Sequence, residues 1–191
     1  MEDRRTDILE AACTVIARSG IHDLRVEDVA QEAGVSRALV YYYFPTRAEL
    51  LSRTFAHANA RSTDHTMQEL GAETNSLERI ENILVLELSD APEVRRNWII
   101  WNEVSANAVF DPELLDSVEK WSADWVRMIA DLVRAGQAEG SIAGDVDPVE
   151  AGEHLTGVLD GLGSKWMLGI MPQKRAIDLV LTAVRRELGK G

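Results

Sequence analysis

One cysteine, Cys13, stands among 191 residues. A single thiol excludes an internal disulfide and a cysteine-rich zinc site, and Cys13 is expected to fill space beside an apolar helix stripe. Long apolar runs are also missing. None approaches the ~20 residues of a membrane span, and the start, "MEDRRTDILEAA", is charged where a signal peptide would be apolar. A cytoplasmic protein without membrane contact is expected. Strand-like alternation is absent too, so an all-α chain is predicted. No nucleophile sits with a base, and no glycine-rich phosphate loop occurs. The histidines, at 22, 57, 65 and 154, lack metal-ligand spacing, and His57 and His65 are expected on the surface. The pattern argues against an enzyme and implies no metal or cofactor.

The net charge is −12, which does not suit a phosphate partner until its distribution is considered. Residues 1–53 hold seven Arg against nine Asp or Glu, a net −2, and the remaining −10 lies after residue 53. If one part of the chain meets phosphate, it is the first quarter.

Apolar residues at helical spacing mark successive elements. Ile8, Ala11, Ala12, Val15 and Ile16 share one face of a first helix, which Gly20 ends. Val26, Val29, Ala30 and Ala33 mark a short second helix, stopped by Gly34. Ser36 caps a third, whose Val40 and Phe44 point inward, and Pro45 closes it. Thr46 caps a fourth helix carrying Leu50, Leu51, Phe55 and Ala58. Beyond a polar connection at 62–76, longer helices are expected over residues 76–89, from Pro92 to about 108, and from "DP" at 111 to about 140. Two more are expected from "DP" at 147 to about 169 and from Pro172 to about 188.

The short helix, glycine turn and short helix within residues 26–44 form a helix-turn-helix pattern. With Val40 and Phe44 inward, Arg37, Ala38, Tyr41 and Tyr42 face outward. Such a face fits a DNA major groove. Arg can bond a guanine edge bidentately, Ala can meet a thymine methyl, and a Tyr ring can pack on one. Tyr42 and Tyr43 are placed to reach phosphates. Thr46 and Arg47 begin the fourth helix, where backbone N–H groups attract phosphate oxygens.

The segment "AGVSRALVYYYFPTRAELL", with "ILEAACTVIARSGIHDLRVEDVAQEAG" before it, resembles the DNA-binding region of the TetR (tetracycline-repressor) family of bacterial transcription regulators. The resemblance implies that Arg37, Ala38 and Tyr41 read bases while Arg25, Ser36, Tyr42, Tyr43, Thr46 and Arg47 hold phosphates. Arg25 stands where the family commonly has a capping Thr or Ser, and Leu39 where Thr or Asn is common. Residues 95–168, with "GQAEGSI", "DVDP" and "VLDGL", resemble a BetI-type C-terminal domain. The expected architecture is a three-helix DNA-binding head, 1–46, and a helical bundle, 47–191, for ligand binding and dimerisation.

Two late stripes suit a symmetric four-helix interface: Leu155, Val158, Leu159 and Leu162, then Ile177, Val180, Leu181 and Val184. Gly157, Gly161 and Gly163 would allow close helix approach. All five tryptophans lie after residue 95. Trp98, Trp101, Trp121, Trp125 and Trp166, with Glu87, Glu103 and Asp160, form the candidate ligand set, because indole faces and carboxylates bind organic cations. The expected protein is a homodimeric repressor released from a palindromic DNA operator by a small molecule, cationic and partly apolar. An activator is a variant of this reading. The alternative is a helical small-molecule-binding or carrier module with a vestigial DNA-binding head.

Overall fold

The computed structural model describes residues 2–70 and 75–189. The described residues fold into nine helices: α1 (Glu2–Ser19), α2 (Val26–Glu32), α3 (Arg37–Tyr43), α4 (Arg47–Glu69), α5 (Ser76–Leu86), α6 (Pro92–Ala108), α7 (Pro112–Glu139), α8 (Pro148–Met167) and α9 (Gln173–Leu188). Among them, no helix is long and apolar enough to cross a membrane.

The starts and stops have local causes. The Asp147 carboxylate accepts the Val149 and Glu150 N–H groups at 2.8 and 3.0 Å and opens α8 with Pro148 in its first turn. Asp111 caps α7 in the same way, and Asn75 caps α5. Gly20 ends α1 at φ +77, and Gly34 turns the chain between α2 and α3 at φ +64, both in the left-handed region that favours glycine. The polar connection expected from residue 62 is helical as far as Glu69, because α4 continues through it. Residues 71–74, the rest of that stretch, lie outside the described residues, as does the side chain of His65.

The chain forms two compact units, whose boundaries fall within α4 and at the ends or middles of α6 and α7. Unit 1 comprises Met1–Ser62 and Arg95–Trp121; unit 2 comprises Thr63–Val94 and Ser122–Gly191. In unit 1 the core joins Ile8, Ala12 and Ile16 of α1 to Val29, Val40, Phe44, Leu50, Phe55, Ile100 and Val104. Cys13 is buried in this core, and burial pushes its thiol up to about 12. It fills space, as its position in the stripe implies. A polar junction crosses the same unit. Glu10 of α1 meets His57 of α4 at 2.5 Å and also Arg61 and Arg96. Burial raises the Glu10 carboxylate, but the Arg61 and His57 hydrogen bonds and the two guanidinium charges outweigh it, for a net lowering. His57 is therefore half-buried and partnered rather than a free surface histidine.

In unit 2, Ile80, Ile83 and Leu84 of α5 and Ile129 and Val133 of α7 are buried, and α9 packs against both α5 and α8. A side chain at Gly152 would stand 2.7 Å from the Val126 carbonyl oxygen, so α8 and α7 approach there only through glycine. Leu155, Leu159, Val180 and Val184, assigned from sequence to a dimer stripe, are at most 4% exposed within the subunit. They belong to its own core. Val158, Leu162, Ile177 and Leu181 are half-buried, and Gly157 and Gly161 are exposed with open space where a side chain would stand.

Candidate nucleic-acid interface

Helix α3 is held to the core through Val40, which is fully buried, and through Phe44 just past its end, which is 1% exposed. The Ser36 hydroxyl accepts the Leu39 N–H at 3.2 Å and fixes the helix start. Leu39 is half-buried. The opposite face carries Arg37, Ala38, Tyr41 and Tyr42, all exposed, with Tyr42 at 73%. A ring that open to water on a seven-residue helix contributes little to the subunit's core.

The three tyrosines therefore differ. Tyr41 lies under the Arg37 guanidinium, whose carbon is 5.3 Å from the ring centroid, and its hydroxyl is 3.4 Å from Arg37 Nη2. Tyr42 projects outward. Tyr43 is half-buried against the core, edge-on to Tyr42 at 5.2 Å and tilted against Phe44. Arg37 Nη1 is also 2.6 Å from Glu27 Oε1 on α2. The Tyr41 hydroxyl and then the Glu27 charge raise the guanidinium pKa further, so the group is a permanent cation.

The flanking cations divide. Arg25 is exposed at the start of α2 and makes no side-chain cap, leaving its charge free to extend outward. Thr46 caps α4, its hydroxyl accepting the Glu49 N–H at 3.0 Å. Arg47 is exposed, and its Nε donates to the Leu24 carbonyl at 3.3 Å and its Nη2 to the Ile21 carbonyl, so the guanidinium also holds the α1–α2 turn.

The candidate ligand residues divide between the two units. Trp98, Trp101, Glu103 and Trp121 lie in unit 1, and Glu87, Trp125, Asp160 and Trp166 lie in unit 2. Trp101 stacks on Phe55 at 5.8 Å, Trp121 packs on the same core, and Trp98 is 5% exposed. Glu103 Oε2 accepts the Ile21 N–H at 2.8 Å and lies 2.9 Å from where a side chain on Gly20 would begin. That carboxylate is a structural acceptor for the turn Arg47 also grips.

Unit 2 holds two carboxylates away from open water, Glu87 buried and Asp160 half-buried. Glu87 is 7% exposed and accepts the Thr66 hydroxyl at 3.0 Å. Burial pushes it up to about 7, against the lowering effect of Thr66. Burial also pushes Asp160 up to about 6. One turn earlier on α8, the buried Thr156 hydroxyl has no hydrogen-bond partner. Trp166 is buried further along α8, and Trp125 is half-buried on α7. An open groove of about 480 Å3 in this unit is lined by Arg79, Asp124, Arg127, Met128, Asp131 and Leu132 and by no tryptophan. Thr66, Thr156 and Glu27 are absent from the sequence reading. Glu27 alone carried a signal, since Val26, Val29 and Ala30 take the inner face of α2 and leave it outside.

Comparison with known proteins matches residues 8–54 to "Bacterial regulatory proteins, tetR family" and residues 76–189 to "BetI-type transcriptional repressor, C-terminal". A solved structure assigned to TetR-family regulators, from Rhodococcus sp., is 35% identical with a TM-score of 0.92, covering 98% of this chain and 100% of that one. A transcriptional regulator from Saccharomonospora viridis, solved in complex with choline, is 26% identical with a TM-score of 0.87 and full coverage of both chains. The regulator TtgR of Pseudomonas putida is 27% identical over 178 residues, 87% of this chain and 81% of that one.

Proposed function

Because the chain belongs to the TetR family of bacterial regulatory proteins, we propose that it is a cytoplasmic, homodimeric repressor that leaves a palindromic operator when a small cation binds its C-terminal bundle. The observation that carries the DNA half is the outward face of α3, where a cation, a methyl and two phenols are exposed while Val40 and Phe44 fasten the helix from behind. Arg37 bonds a guanine edge, and Ala38 and Tyr41 meet thymine methyls. Tyr42, Arg25, Ser36 and Thr46 meet phosphates, with Tyr43 supporting them from the core edge. Arg47 contributes by holding the α1–α2 turn. In this reading residues 1–46 form the DNA-binding head and 47–191 the ligand and dimer domain.

The dimer face is the uncovered side of α8 and α9: exposed Gly157 and Gly161, with half-buried Val158, Leu162, Ile177 and Leu181 beside it. Two recognition helices related by a two-fold axis read half-sites about one helical turn, ~34–36 Å, apart. The ligand half rests on Glu87 and Asp160, carboxylates that burial holds toward the neutral form. A cation brought into their unit would restore their charge and repay its own desolvation, with Trp125 and Trp166 as indole faces. Choline bound to the Saccharomonospora viridis relative supports this class of ligand.

Anisotropy titration of the protein against DNA from upstream of its own gene, with a scrambled duplex as control, tests the reading. Cognate affinity at least a thousandfold above random is expected. Equal affinity for the two duplexes would favour the carrier alternative.

A further inference from the structure

Glu27 stands on the surface that the proposed reading turns toward DNA, where a carboxylate repels phosphate. Its position is therefore a cost unless it does something for recognition. The geometry says what. Its Oε1 lies 2.6 Å from Arg37 Nη1, while Tyr41 takes the other side of the same guanidinium through its ring face and its hydroxyl. Both ion-pair partners are more than half exposed, so the pair adds little to stability. Its consequence is orientation. A long, flexible arginine is fixed between a carboxylate on α2 and an aromatic ring on α3 before DNA arrives. Two of its five N–H groups are engaged, and the others remain for a guanine edge.

We infer that Glu27 is a specificity-determining positioning residue, which aims Arg37 at one base pair and disfavours unspecific phosphate binding. The inference rests on α3 being the recognition helix. An unaimed arginine binds any nearby phosphate. An arginine already neutralised by a carboxylate gains less from phosphate and keeps its directional bonds for O6 and N7 of guanine. Removing the carboxylate should tighten unspecific binding and blur base choice together, which neither a plain loss of charge nor a folding defect does.

The test uses full-length Glu27→Gln, Arg37→Ala and the double variant. Each is titrated against the cognate duplex, duplexes with single base-pair changes, and random DNA. Glu27→Gln is expected to bind random DNA several-fold more tightly. It should lose about tenfold in discrimination at the one base pair whose preference Arg37→Ala abolishes, and Glu27→Asp should restore part of it. In the Arg37→Ala background, Glu27→Gln should change discrimination no further. Discrimination by wild type with an unchanged ratio in Glu27→Gln overturns the inference and leaves the DNA reading intact. Loss at a different base pair also overturns it, because Glu27 would then read a base itself, as a carboxylate accepting from cytosine N4 can. Absence of discrimination by wild type overturns the DNA reading and this inference with it.

Discussion

Replacing Glu87 with glutamine should stabilise the protein, and by an amount that depends on pH. The amide keeps an acceptor for Thr66 and removes the charge. The Glu87 carboxyl is raised from 4.5 to about 7 by burial. Between those values the folded protein holds a proton that the unfolded chain releases. The unfolded state binds fewer protons, so stability falls as pH rises through this window. The penalty is absent below about pH 4.5 and complete above about pH 7, where it reaches about 3 kcal/mol at ~1.4 kcal/mol per unit. For a chain of this size that corresponds to ~6–12 °C in the melting midpoint. The assay is thermal unfolding of wild type and Glu87→Gln from pH 5 to 8.5 at one fixed protein concentration, since self-association would make the midpoint depend on concentration. Asp160, raised to about 6, titrates in an overlapping window, but it is common to both proteins and cancels in the difference. The difference should be small at pH 5, grow through pH 7 and then level. A difference that is flat with pH would refute the reasoning, because it would mean that Glu87 is ionised within the fold. The same proton links to the ligand. A cation paired with Glu87 must displace it, so affinity should fall about tenfold per pH unit below 7, with calorimetry in buffers of different ionisation heat reporting proton release.

Arg37→Ala should weaken cognate binding roughly ten- to hundredfold and relax preference at one base position, measured by anisotropy over a set of single base-pair variants. Arg47→Ala should lower the melting midpoint by a few degrees, through loss of its bonds to the Ile21 and Leu24 carbonyls, and leave the slope of affinity against salt unchanged. A slope reduced by about one at unchanged stability would restore Arg47 to the phosphate contacts. Gly161→Glu should fold normally and sediment as a monomer, because the space at Gly161 is open within the subunit. Leu159→Asp, by contrast, should lose helical circular dichroism, because it places an unpaired carboxylate at a 4% exposed site.

The helices and the outward face of α3 were largely legible in the sequence because their causes are local. The Asp-Pro pairs at 111 and 147 open helices through side chains that bond N–H groups two or three residues on. Val40 and Phe44 exposed the outer face of α3 by subtraction. What escaped is long-range. Arg47 reaches a carbonyl 26 residues away, and Glu103 an N–H 82 residues away, on backbone groups that every sequence position possesses. Periodicity reports which face of a helix is apolar and not what covers it. Leu155 and Leu159 therefore read as interface when they are buried in the subunit's own core, and the stacking of Trp101 on Phe55 could not be read from spacing. The tryptophans that stand close along the chain divide between the units, Trp98, Trp101 and Trp121 in one and Trp125 and Trp166 in the other.

The lone thiol gives this molecule an internal clock. Cys13 is 1% exposed, and its Sγ lies 3.9 Å from the Thr54 carbonyl oxygen that it faces across the core. With its ionisation pushed up to about 12, it reacts negligibly with a water-soluble maleimide or disulfide reagent while unit 1 is closed. Each labelled molecule therefore records one opening of the DNA-binding end, at a single site and without competing cysteines to subtract. The labelling rate with and without operator, or with and without a candidate inducer, measures how far each ligand tightens or loosens that end, in the unmodified protein.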